Sequence, residues 1–503
     1  MNKTIIDFFE KTVSSYPQNT AVGDKDAEIT YKTLQEKAQG IATSIANNGF
    51  LRKPVAILME RNRNVPMAML GVLYSGNFYV VLDSDSPFER IEKIIDVLSP
   101  VAIIYEKQFN GVVSNFDDKV VKINFEDSIN MQINNGLLTN IRSQMLSTDP
   151  AYSIFTSGST GNPKGALLTH LNVISYIDWF ITCFNIDEQT IFGSQTPLYF
   201  SMSVTDMFAS LFTGSAYQMI PKEYFAFPVK LIEYMNNRKI NVIYWVPTAL
   251  GIIAKLDLFK YCKPDYLKKV LFAGEVMPIK YLNYWKKYFP NLMYANLFGP
   301  TETTDICAYF IVNREFKETE TLPIGNACSN CNLFVVDEKG NQVSGVAEGE
   351  LYVSGPFIAR GYYGNREKTK EAFVQNPLHN EYPEIVYKTG DLVRQNIYGE
   401  FEYLGRKDFQ IKHMGYRIEM GEIESAFGAV AEIDLVVCIY DLENDKIILA
   451  YEGNEQLVKI LRVTAEKSLP EYMRPHEYKA FDIFPKNANG KIDRKLIKNI
   501  ILE

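Results

Sequence analysis

The stretch AYSIFTSGSTGNPKGALLTH (151–170) places a polar loop between two apolar runs. The loop, TSGSTGNPKG (156–165), contains three glycines, four hydroxyl residues and Lys164. Glycine leaves backbone N–H groups accessible, and the hydroxyls and the lysine add further donors, a combination suited to holding a polyphosphate. It is not a Walker A loop, because no glycine directly precedes Lys164 and no Ser or Thr follows it. Its composition alone is equally compatible with a Gly/Ser-rich surface turn.

Apolar runs alternate with amphipathic segments on both sides of this loop. Before it, PVAILM (54–59), FYVVLD (78–83) and VAIIYE (101–106) are separated by helical patterns. After it the same alternation continues to about residue 300, with a predicted helix at about 171–184. Short strands separated by helices are typical of βαβ units and parallel sheets. The sequence therefore predicts an α/β fold with two doubly wound sheets.

The pattern changes after about residue 321. Short strands with turn residues between them, as in LFVVDEKGNQV (333–343), predict a smaller β-rich subdomain at about 321–403. A charged segment then leads into mixed strand and helix patterns. We predict a large N-terminal domain at 1–407 and a small α+β domain at 408–503, because 503 residues exceed the usual size of one domain.

Composition and charge argue against several classes of partner. A net charge of −8 and a pI near 5.4 do not fit a protein that binds nucleic acid or an anionic membrane. The N-terminal segment has no uninterrupted apolar run, and the longest apolar stretch, at about 65–73, is too short to span a bilayer. We therefore expect a cytoplasmic protein. Six scattered cysteines fit a reducing compartment, and we interpret the lone CxxC of Cys328 and Cys331 as structural thiols.

The order of residues in the polar loop resembles the phosphate-binding signature of the adenylate-forming superfamily, which includes acyl-CoA synthetases, luciferases and the adenylation domains of nonribosomal peptide synthetases. The resemblance covers the whole chain, in nine segments that follow the family's order. The segments are ITYKTL (29–34), LYSGNFYVVLDSDSPFER (73–90), the loop itself (156–165), FSMSVTDMF (200–208), FGPTE (298–302), GELYVSGPFIARGYYGN (349–365), YKTGD (387–391), GRKDFQIKHMGYRIEMGEIE (405–424) and NGKIDRK (489–495). The residues of these segments are most similar to those of amino-acid adenylation domains, and the length of the chain resembles that of free-standing D-alanine:carrier-protein ligases.

The resemblance implies an AMP-forming acid–thiol ligase that uses ATP and Mg²⁺. Phe298 would stack on adenine, where relatives usually have Tyr, and Asp391 would accept hydrogen bonds from the ribose hydroxyls. Glu302 would hold Mg²⁺ beside the phosphates, and Thr301 would contact the α-phosphate. The ATP-binding residues implied in this way are Thr156, Ser157, Gly158, Ser159, Thr160, Gly161, Lys164, Phe298, Asp391 and Arg406.

Two half-reactions on one active site are also implied. Lys491 would bridge the substrate carboxylate and the phosphate oxygens, and Thr156, Thr301 and Glu302 would complete the catalytic set. A rotation of a mobile C-terminal domain about Asp408 would then exchange Lys491 for the loop 413–416 and open a path for a thiol. Without the surrounding motif NGKIDRK, Lys491 would be interpreted as an ordinary solvated surface lysine.

The acyl pocket departs from the family's pattern. In amino-acid-activating relatives the segment FSMS (200–203) normally reads Phe-Asp-x-Ser, and that Asp pairs with the α-ammonium of the substrate; here the position is Ser201. A buried ammonium without a carboxylate partner is costly, so we expect an acid that lacks an α-amino group or carries its amine elsewhere. The candidate pocket residues are Ser201, Met202, Thr205, Tyr244, Leu271, Ala273, Leu297, Asp305 and Ile306.

Most of these pocket residues are apolar, which suits an aryl or alkyl acid. Asp305 differs from the rest. If it faces inward it could receive a distal amine or hydroxyl, and if it faces outward it would lie in water at the start of a helix. An aryl or hydroxyaryl acid and a non-α amino acid therefore both stay open.

The thiol acceptor is the last expectation. No phosphopantetheine attachment segment of the Gly-Gly-x-Ser type is visible, which predicts a separate, phosphopantetheinylated carrier protein as partner. An acyl- or aryl-CoA ligase would share every catalytic residue named. A non-catalytic nucleotide-binding protein is a reading of another class, and the presence of Lys164, Glu302, Asp391 and Lys491 argues against it.

Overall fold

The alternating apolar runs form several β-sheets with helices between them in the computed structural model. The chain divides into two compact units, which we call the large unit and the small unit. The large unit comprises Met1–Leu82, Leu98–Ile154 and Gly165–Lys407; the small unit comprises Asp83–Val97, Phe155–Lys164 and Asp408–Glu503. The residues that the structure describes are 4–156, 163–407, 410–427, 430, 433, 435–485 and 492–502.

The elements follow one another in short alternating segments. The strands are β1 (Thr20–Gly23), β2 (Glu28–Thr30), β3 (Pro54–Leu58), β4 (Phe78–Val81), β5 (Ala102–Tyr105), β6 (Val121–Asn124), β7 (Pro150–Thr156), β8 (Lys164–Thr169), β9 (Ile191–Ser194), β10 (Ala216–Met219), β11 (Val242–Trp245), β12 (Lys269–Phe272), β13 (Met293–Phe298), β14 (Ala308–Ile311), β15 (Asn326–Ala327), β16 (Asn332–Val336), β17 (Gln342–Val343), β18 (Gly349–Ser354), β19 (Phe373–Gln375), β20 (Ile385–Gln395), β21 (Phe401–Arg406), β22 (Gln410–His413), β23 (Tyr416–Glu419), β24 (Val436–Asp441), β25 (Lys446–Glu452) and β26 (Glu477–Phe481). The helices are α1 (Ile5–Ser15), α2 (Tyr31–Ala46), α3 (Val65–Tyr74), α4 (Phe88–Leu98), α5 (Asn110–Val113), α6 (Phe125–Ser128), α7 (Asn135–Gln144), α8 (His170–Phe184), α9 (Met202–Thr213), α10 (Pro228–Asn237), α11 (Pro247–Lys255), α12 (Ile279–Tyr288), α13 (Arg366–Ala372), α14 (Met420–Phe427), α15 (Val458–Ser468) and α16 (Arg494–Leu502).

Two sheets of the large unit are mainly parallel. One has the strand order β15-β14-β13-β12-β11-β9-β10-β1-β2, and its strands from β13 to β1 run parallel. The other has the order β6-β5-β3-β4-β7-β8. Strands such as β3, β10 and β11 are buried at every residue, as expected when helices cover both faces of a parallel sheet. The continuous apolar runs in the sequence reflect this burial.

An antiparallel sheet follows in the same unit, with the order β17-β16-β18-β20-β19 and with β21 on β20. The small unit contains the hairpin of β22 and β23 and the three-stranded sheet β24-β25-β26. The hairpin turns at Met414 and Gly415, which both have positive φ, of 50° and 83°. A two-residue turn of this kind matches the twist of the flanking strands.

The predicted fold class is confirmed: the chain is α/β, with two mainly parallel sheets, a β-rich part and a smaller part of mixed strands and helices. β1 joins the nine-stranded sheet, and β15 pairs with β14 although it lies within the predicted β-rich region. Gly325, just before β15, lets the backbone pass very close to Tyr309, since a Cβ there would lie 2.0 Å from the Tyr309 carbonyl oxygen. The predicted domain boundaries, 1–407 and 408–503, stay a prediction.

A buried tyrosine ties the second helix to the helix that carries part of the predicted pocket. Thr30 caps α2 by accepting a hydrogen bond from the backbone N–H of Thr33. The next residue, Tyr31, is fully buried, and its hydroxyl lies 2.6 Å from the carbonyl oxygen of Ser210 in α9 and 2.7 Å from that of Ser215. The end of α9 is therefore held by a side chain from the segment ITYKTL.

The substitution Tyr31→Phe should destabilise the protein by about 1–3 kcal/mol, because buried carbonyl groups lose a hydrogen-bond donor. The midpoint of urea unfolding measures this loss. Tyr261→Phe, at a tyrosine that is 82% exposed, is the matched control and should change stability by less than about 0.5 kcal/mol. Equal effects of the two substitutions would contradict the assignment.

Candidate functional site

The turn between β13 and β14 holds several of the predicted site residues. Phe298 is the last residue of β13, and Gly299 follows it. A Cβ on Gly299 would lie 2.2 Å from the carbonyl oxygen of Asp305 and 2.6 Å from the Cα of Ile306, so only glycine fits this close approach. The chain then forms the 3₁₀ turn Thr301–Thr303, which is buried.

Glu302 is fully buried within this turn. Its Oε1 accepts a hydrogen bond of 2.6 Å from the Tyr362 hydroxyl, and its carbonyl oxygen accepts one of 2.8 Å from the N–H of Ala359. The N–H of Tyr363 also donates to the carbonyl oxygen of Gly165, at 2.8 Å. The segment GELYVSGPFIARGYYGN thus connects Glu302 to the last residue of the polar loop.

The carboxylate of Glu302 fits the predicted magnesium role. Mg²⁺ in nucleotide sites is held by one or two carboxylates, with phosphate and water oxygens completing its shell. Among the residues that the structure describes, no three His, Cys, Asp or Glu side chains cluster in a way that could hold a metal ion. A single buried carboxylate matches a cation that takes most of its ligands from the nucleotide.

The predicted ribose contact Asp391 and the predicted ATP contact Arg406 lie side by side. Asp391 and Arg406 are directly opposite each other on β20 and β21. An Arg406 Nη1 donates to Asp391 Oδ1 at 3.0 Å and to the carbonyl oxygen of Thr389 at 2.8 Å. Tyr403, also on β21, places its ring 5.9 Å from that of Phe298. Asp391 and Arg406 are therefore brought together, and Phe298 packs beside the strand that carries Arg406.

Part of the predicted phosphate-binding set belongs to the small unit. Thr156 ends β7, and its Oγ1 lies 3.5 Å from the carbonyl oxygen of Lys164. Lys164 begins β8, and its Nζ lies 3.4 Å from Oε1 of Glu419 in β23. The loop residues between them and two other predicted positions lie outside the described residues, namely Ser157, Gly158, Ser159, Thr160, Gly161, Asp408 and Lys491.

Strand register explains how the apolar pocket candidates meet. Tyr244 of β11 is the partner of Leu271 of β12, and Leu271 is the partner of Ala295 of β13. Residues two apart on a strand point to the same face, so Ala273 and Leu297 share the face of Tyr244 and Leu271. Met202 and Thr205 on α9 and Ile306 after the turn are also buried. Most of the predicted pocket residues therefore lie buried on or beside the neighbouring strands β11, β12 and β13 and on α9, and Ser201 is half-buried.

Asp305 is buried, with only 1% of its surface exposed, and it is surrounded by hydroxyl groups. Its Oδ2 accepts hydrogen bonds from Thr205 Oγ1 at 2.5 Å, from the Tyr244 hydroxyl at 3.0 Å and from the Tyr176 hydroxyl at 3.3 Å. The Tyr176 and Thr205 hydroxyls are 2.6 Å apart. Asp305 therefore does not face water, and its role in the acyl pocket stays a prediction.

Burial controls the protonation of this carboxyl group. It raises the pKa of Asp305 to about 6, against hydrogen bonds from Thr205, Tyr244, Ser201 and Tyr176, which lower it. Ser201, directly before the first residue of α9, is thus part of the same hydroxyl network. Burial also raises the pKa of a second carboxyl group, Asp206, to about 7.

Three contacts of the site were not predicted from the sequence. Tyr176 on α8 lies in none of the quoted motifs, and nothing local indicates that it meets Asp305. Glu419 on β23 lies in the quoted segment 405–424, but its contact with Lys164 was not foreseen. Tyr362 lies in a motif quoted above, but its contact with Glu302 was not foreseen. Such contacts depend on tertiary packing, which a single sequence does not display.

The two thiols of the CxxC lie beside the end of the turn between β13 and β14. Cys328 Sγ is 3.8 Å from the carbonyl oxygen of Ile306, and Cys331 Sγ is 3.2 Å from that of Cys307. All six cysteines are among the described residues and are free thiols. The role of Cys328 and Cys331 as structural thiols stays a prediction.

None of the described helices is long and apolar enough to cross a membrane.

Comparison with known proteins defines the class. A family model described as AMP-binding enzyme matches residues 9–363. The chain is 34% identical to gramicidin S synthase 1 of Brevibacillus brevis over 509 residues, which cover 98% of this chain and 44% of that protein. It is 30% identical over 512 residues to the D-alanine–D-alanyl carrier protein ligase of Lacticaseibacillus casei, with 99% of each chain covered. It thus spans less than half of the first relative and nearly all of the second.

Among solved structures, the Vibrio cholerae adenylation domain AlmE in complex with glycyl-adenosine-5′-phosphate has the same fold. The TM-score is 0.86 at 21% identity, with 100% of this chain and 98% of that chain covered. The chain belongs to the AMP-binding enzyme family. It is an adenylate-forming, ATP-using enzyme of the type found in nonribosomal peptide synthetase adenylation domains and D-alanine carrier-protein ligases.

The raised pKa of Asp305 has a consequence for stability. Its ordinary value is 3.8, so the native state binds this proton more tightly than the unfolded chain does. The ionised carboxylate therefore reduces native stability above pH 6, by about 3 kcal/mol for a shift of about two units, and the cost disappears as pH falls to 4. Asp305→Asn should raise the thermal midpoint of the ligand-free protein at pH 8, and this gain should shrink between pH 6 and pH 4.

Differential scanning fluorimetry across this pH range measures the effect. Asp265→Asn, at an exposed aspartate, is the control and should leave the midpoint unchanged at every pH. A midpoint of Asp305→Asn that is lowered by the same amount at pH 8 and pH 5 would show that ionisation of this group does not limit stability.

Proposed function

We propose that this enzyme activates a small carboxylic acid that lacks an α-ammonium group held in the usual way, and that it transfers the acyl group to the phosphopantetheine thiol of a separate carrier protein. One observation carries the substrate part of the proposal. Ser201 stands where amino-acid-activating relatives place a carboxylate, and Asp305, another of the candidate pocket residues, has a buried carboxyl group.

In the first half-reaction, a carboxylate oxygen of the acid attacks the α-phosphorus of ATP. The bond between that phosphorus and the β-phosphate bridging oxygen breaks, and pyrophosphate leaves with the electron pair. Phe298, Asp391 and Arg406 would orient the adenosine, and Lys491 would draw the two anions together. Mg²⁺ held by Glu302 would neutralise phosphate charge.

In the second half-reaction, the thiol of the carrier loses its proton to solvent and attacks the acyl carbon. The bond between that carbon and the phosphate oxygen breaks, and AMP leaves. A rotation about Asp408 that withdraws Lys491 and brings in the loop 413–416 would prepare the site for this step. His413 of that loop is buried, and its Nδ1 lies 2.8 Å from Oδ1 of Asp445. This bond would hold the hairpin rigid as it moves.

The likeness to a D-alanyl carrier protein ligase along nearly the entire length of both chains supports a carrier protein as acceptor. Coenzyme A is the alternative, because its thiol has the same phosphopantetheine arm. Purified enzyme, supplied with an accepted acid and MgATP, should acylate a holo carrier protein and leave coenzyme A largely unmodified, as measured by mass spectrometry. Acylation of coenzyme A alone would replace the carrier-protein proposal with an acyl-CoA ligase.

Lys491→Ala should reduce acid-dependent pyrophosphate release by at least about 100-fold, because the charge that joins the two anions is lost. Thioester formation from a supplied acyl-adenylate should continue at a rate within a few-fold of the unmodified enzyme. Lys498→Ala, at an exposed lysine of α16, is the matched control and should affect neither step. Equal loss of both half-reactions would overturn the two-state assignment.

A further inference from the structure

The Asp305 carboxylate has hydroxyl partners but no cationic partner in the described part of the chain. Thr205, Tyr244 and Tyr176 all donate to Oδ2, and Oδ1 takes none of these three bonds. Hydroxyl donors solvate a carboxylate but do not neutralise its charge. Buried carboxylates are generally paired with a cation, since desolvation of a lone charge is costly.

The surroundings of Asp305 are also negative. Asp206 is fully buried nearby, and the two carboxylates are close enough for the charge of Asp305 to raise the pKa of Asp206. Arg61 is the cation that lowers the pKa of Asp206, but its guanidinium is occupied by three backbone carbonyl oxygens. These belong to Ser194, Thr196 and Ile220, at 2.8, 3.2 and 2.7 Å. The Arg61 guanidinium therefore donates to these backbone carbonyl oxygens and not to Asp305.

A polar atom near Asp305 is also left without a partner. Tyr152 is fully buried in β7, and among the described residues its hydroxyl makes no hydrogen bond. The charge of Asp305 contributes to the raised pKa of Tyr152, which places the two groups within electrostatic reach. A buried hydroxyl is normally hydrogen-bonded, so this atom indicates a position where a bound polar group would complete the network.

We infer that Asp305 is the receptor for a cationic amine of the substrate, and that the acid activated by this enzyme is a small amino acid whose ammonium group lies beyond the α-carbon. This inference rests on the proposed function, because it concerns the same acyl pocket. It selects one of the two substrate classes that the sequence left open.

A hydroxyaryl acid fits these observations less well. A phenol would give Asp305 one more hydrogen bond but would leave its charge uncompensated in an interior that already holds Asp206. An ammonium supplies both the hydrogen bond and the opposite charge, and the apolar side chains of Leu271, Leu297 and Ile306 suit the methylene chain between amine and carboxylate. At position 201, where amino-acid-activating relatives have a carboxylate, this chain offers a hydroxyl group without charge.

Acid-dependent pyrophosphate release at pH 8 tests the inference. The probes are the unbranched β-, γ-, δ- and ε-amino acids, each beside the ω-hydroxy acid of the same length, with D- and L-alanine and the hydroxybenzoates for the other classes. At least one ω-amino acid should exceed its hydroxy partner by about 30-fold or more in kcat/KM, the range expected for a buried charge pair. Preference for a hydroxybenzoate or for the neutral partner would overturn the inference.

Two variants assign that preference to Asp305. Asp305→Asn keeps the shape and should reduce the ratio of amino to hydroxy acid to within about 3-fold, with the KM for ATP unchanged and the thermal midpoint at pH 8 no lower than that of the parent. Ser201→Asp combined with Asp305→Asn returns the carboxylate to the α-position and should transfer the preference to alanine. Retention of the ω-amino preference by Asp305→Asn would place the receptor elsewhere.

The failure of the inference and that of the proposed function give different results. If the enzyme releases no pyrophosphate from ATP with any acid of the panel, the proposed function is overturned, and this inference is overturned with it. If neutral acids are activated and amino acids are not, the adenylation proposal stands and the inference alone is overturned.

Discussion

The missing side chain of Gly299 is the constraint on which the site depends. Because nothing projects from this residue, the backbone of Asp305 and Ile306 can pass within van der Waals distance of it, and the chain turns back between β13 and β14. The eight residues from Phe298 to Asp305 include the predicted adenine contact, the magnesium candidate Glu302 and the buried carboxylate of Asp305. A side chain at Gly299 would have to displace the backbone of Asp305 and Ile306, so the conformation of the whole turn depends on this glycine.

Local pattern predicted the sheets well because the strands are short, apolar and buried on both faces. PVAILM became β3, which is buried at every residue. The orientation of Asp305 could not be predicted, since it follows Thr304, whose φ of 69° is unusual for a β-branched residue, and because Tyr176 lies 129 residues away. β15 has only two residues, too few to show any alternation. What the sequence did not display were long-range contacts and backbone conformations that oppose local preference.

Burial raises the pKa of Asp305 and Asp206, so we expect their ionised forms to reduce the stability of the large unit, yet they are among its most enclosed polar groups. A large hydrophobic core can tolerate such a cost, because each fully buried Leu, Ile or Phe side chain contributes about 1.5–3 kcal/mol. Tyr31, Tyr244 and Tyr176 show how the surrounding fold limits the loss, by directing hydroxyl groups at buried acceptors rather than leaving them unpaired. Polar groups that weaken a core are usually found where a ligand compensates for them.

The pairing of Ser201 with Asp305 follows from electrostatics. Ser201 belongs to the hydroxyl network around Asp305, so a carboxylate at position 201 would lie close to the one at 305. Two carboxylates in one low-dielectric site repel each other, and one of them would take up a proton and lose its ability to hold an ammonium. Asp206 already adds negative charge to this region, which makes a third carboxylate still less favourable. A carboxylate at position 305 therefore disfavours a second one at position 201, and under the inference made above the position of the carboxylate would decide which carbon of the acid carries the ammonium.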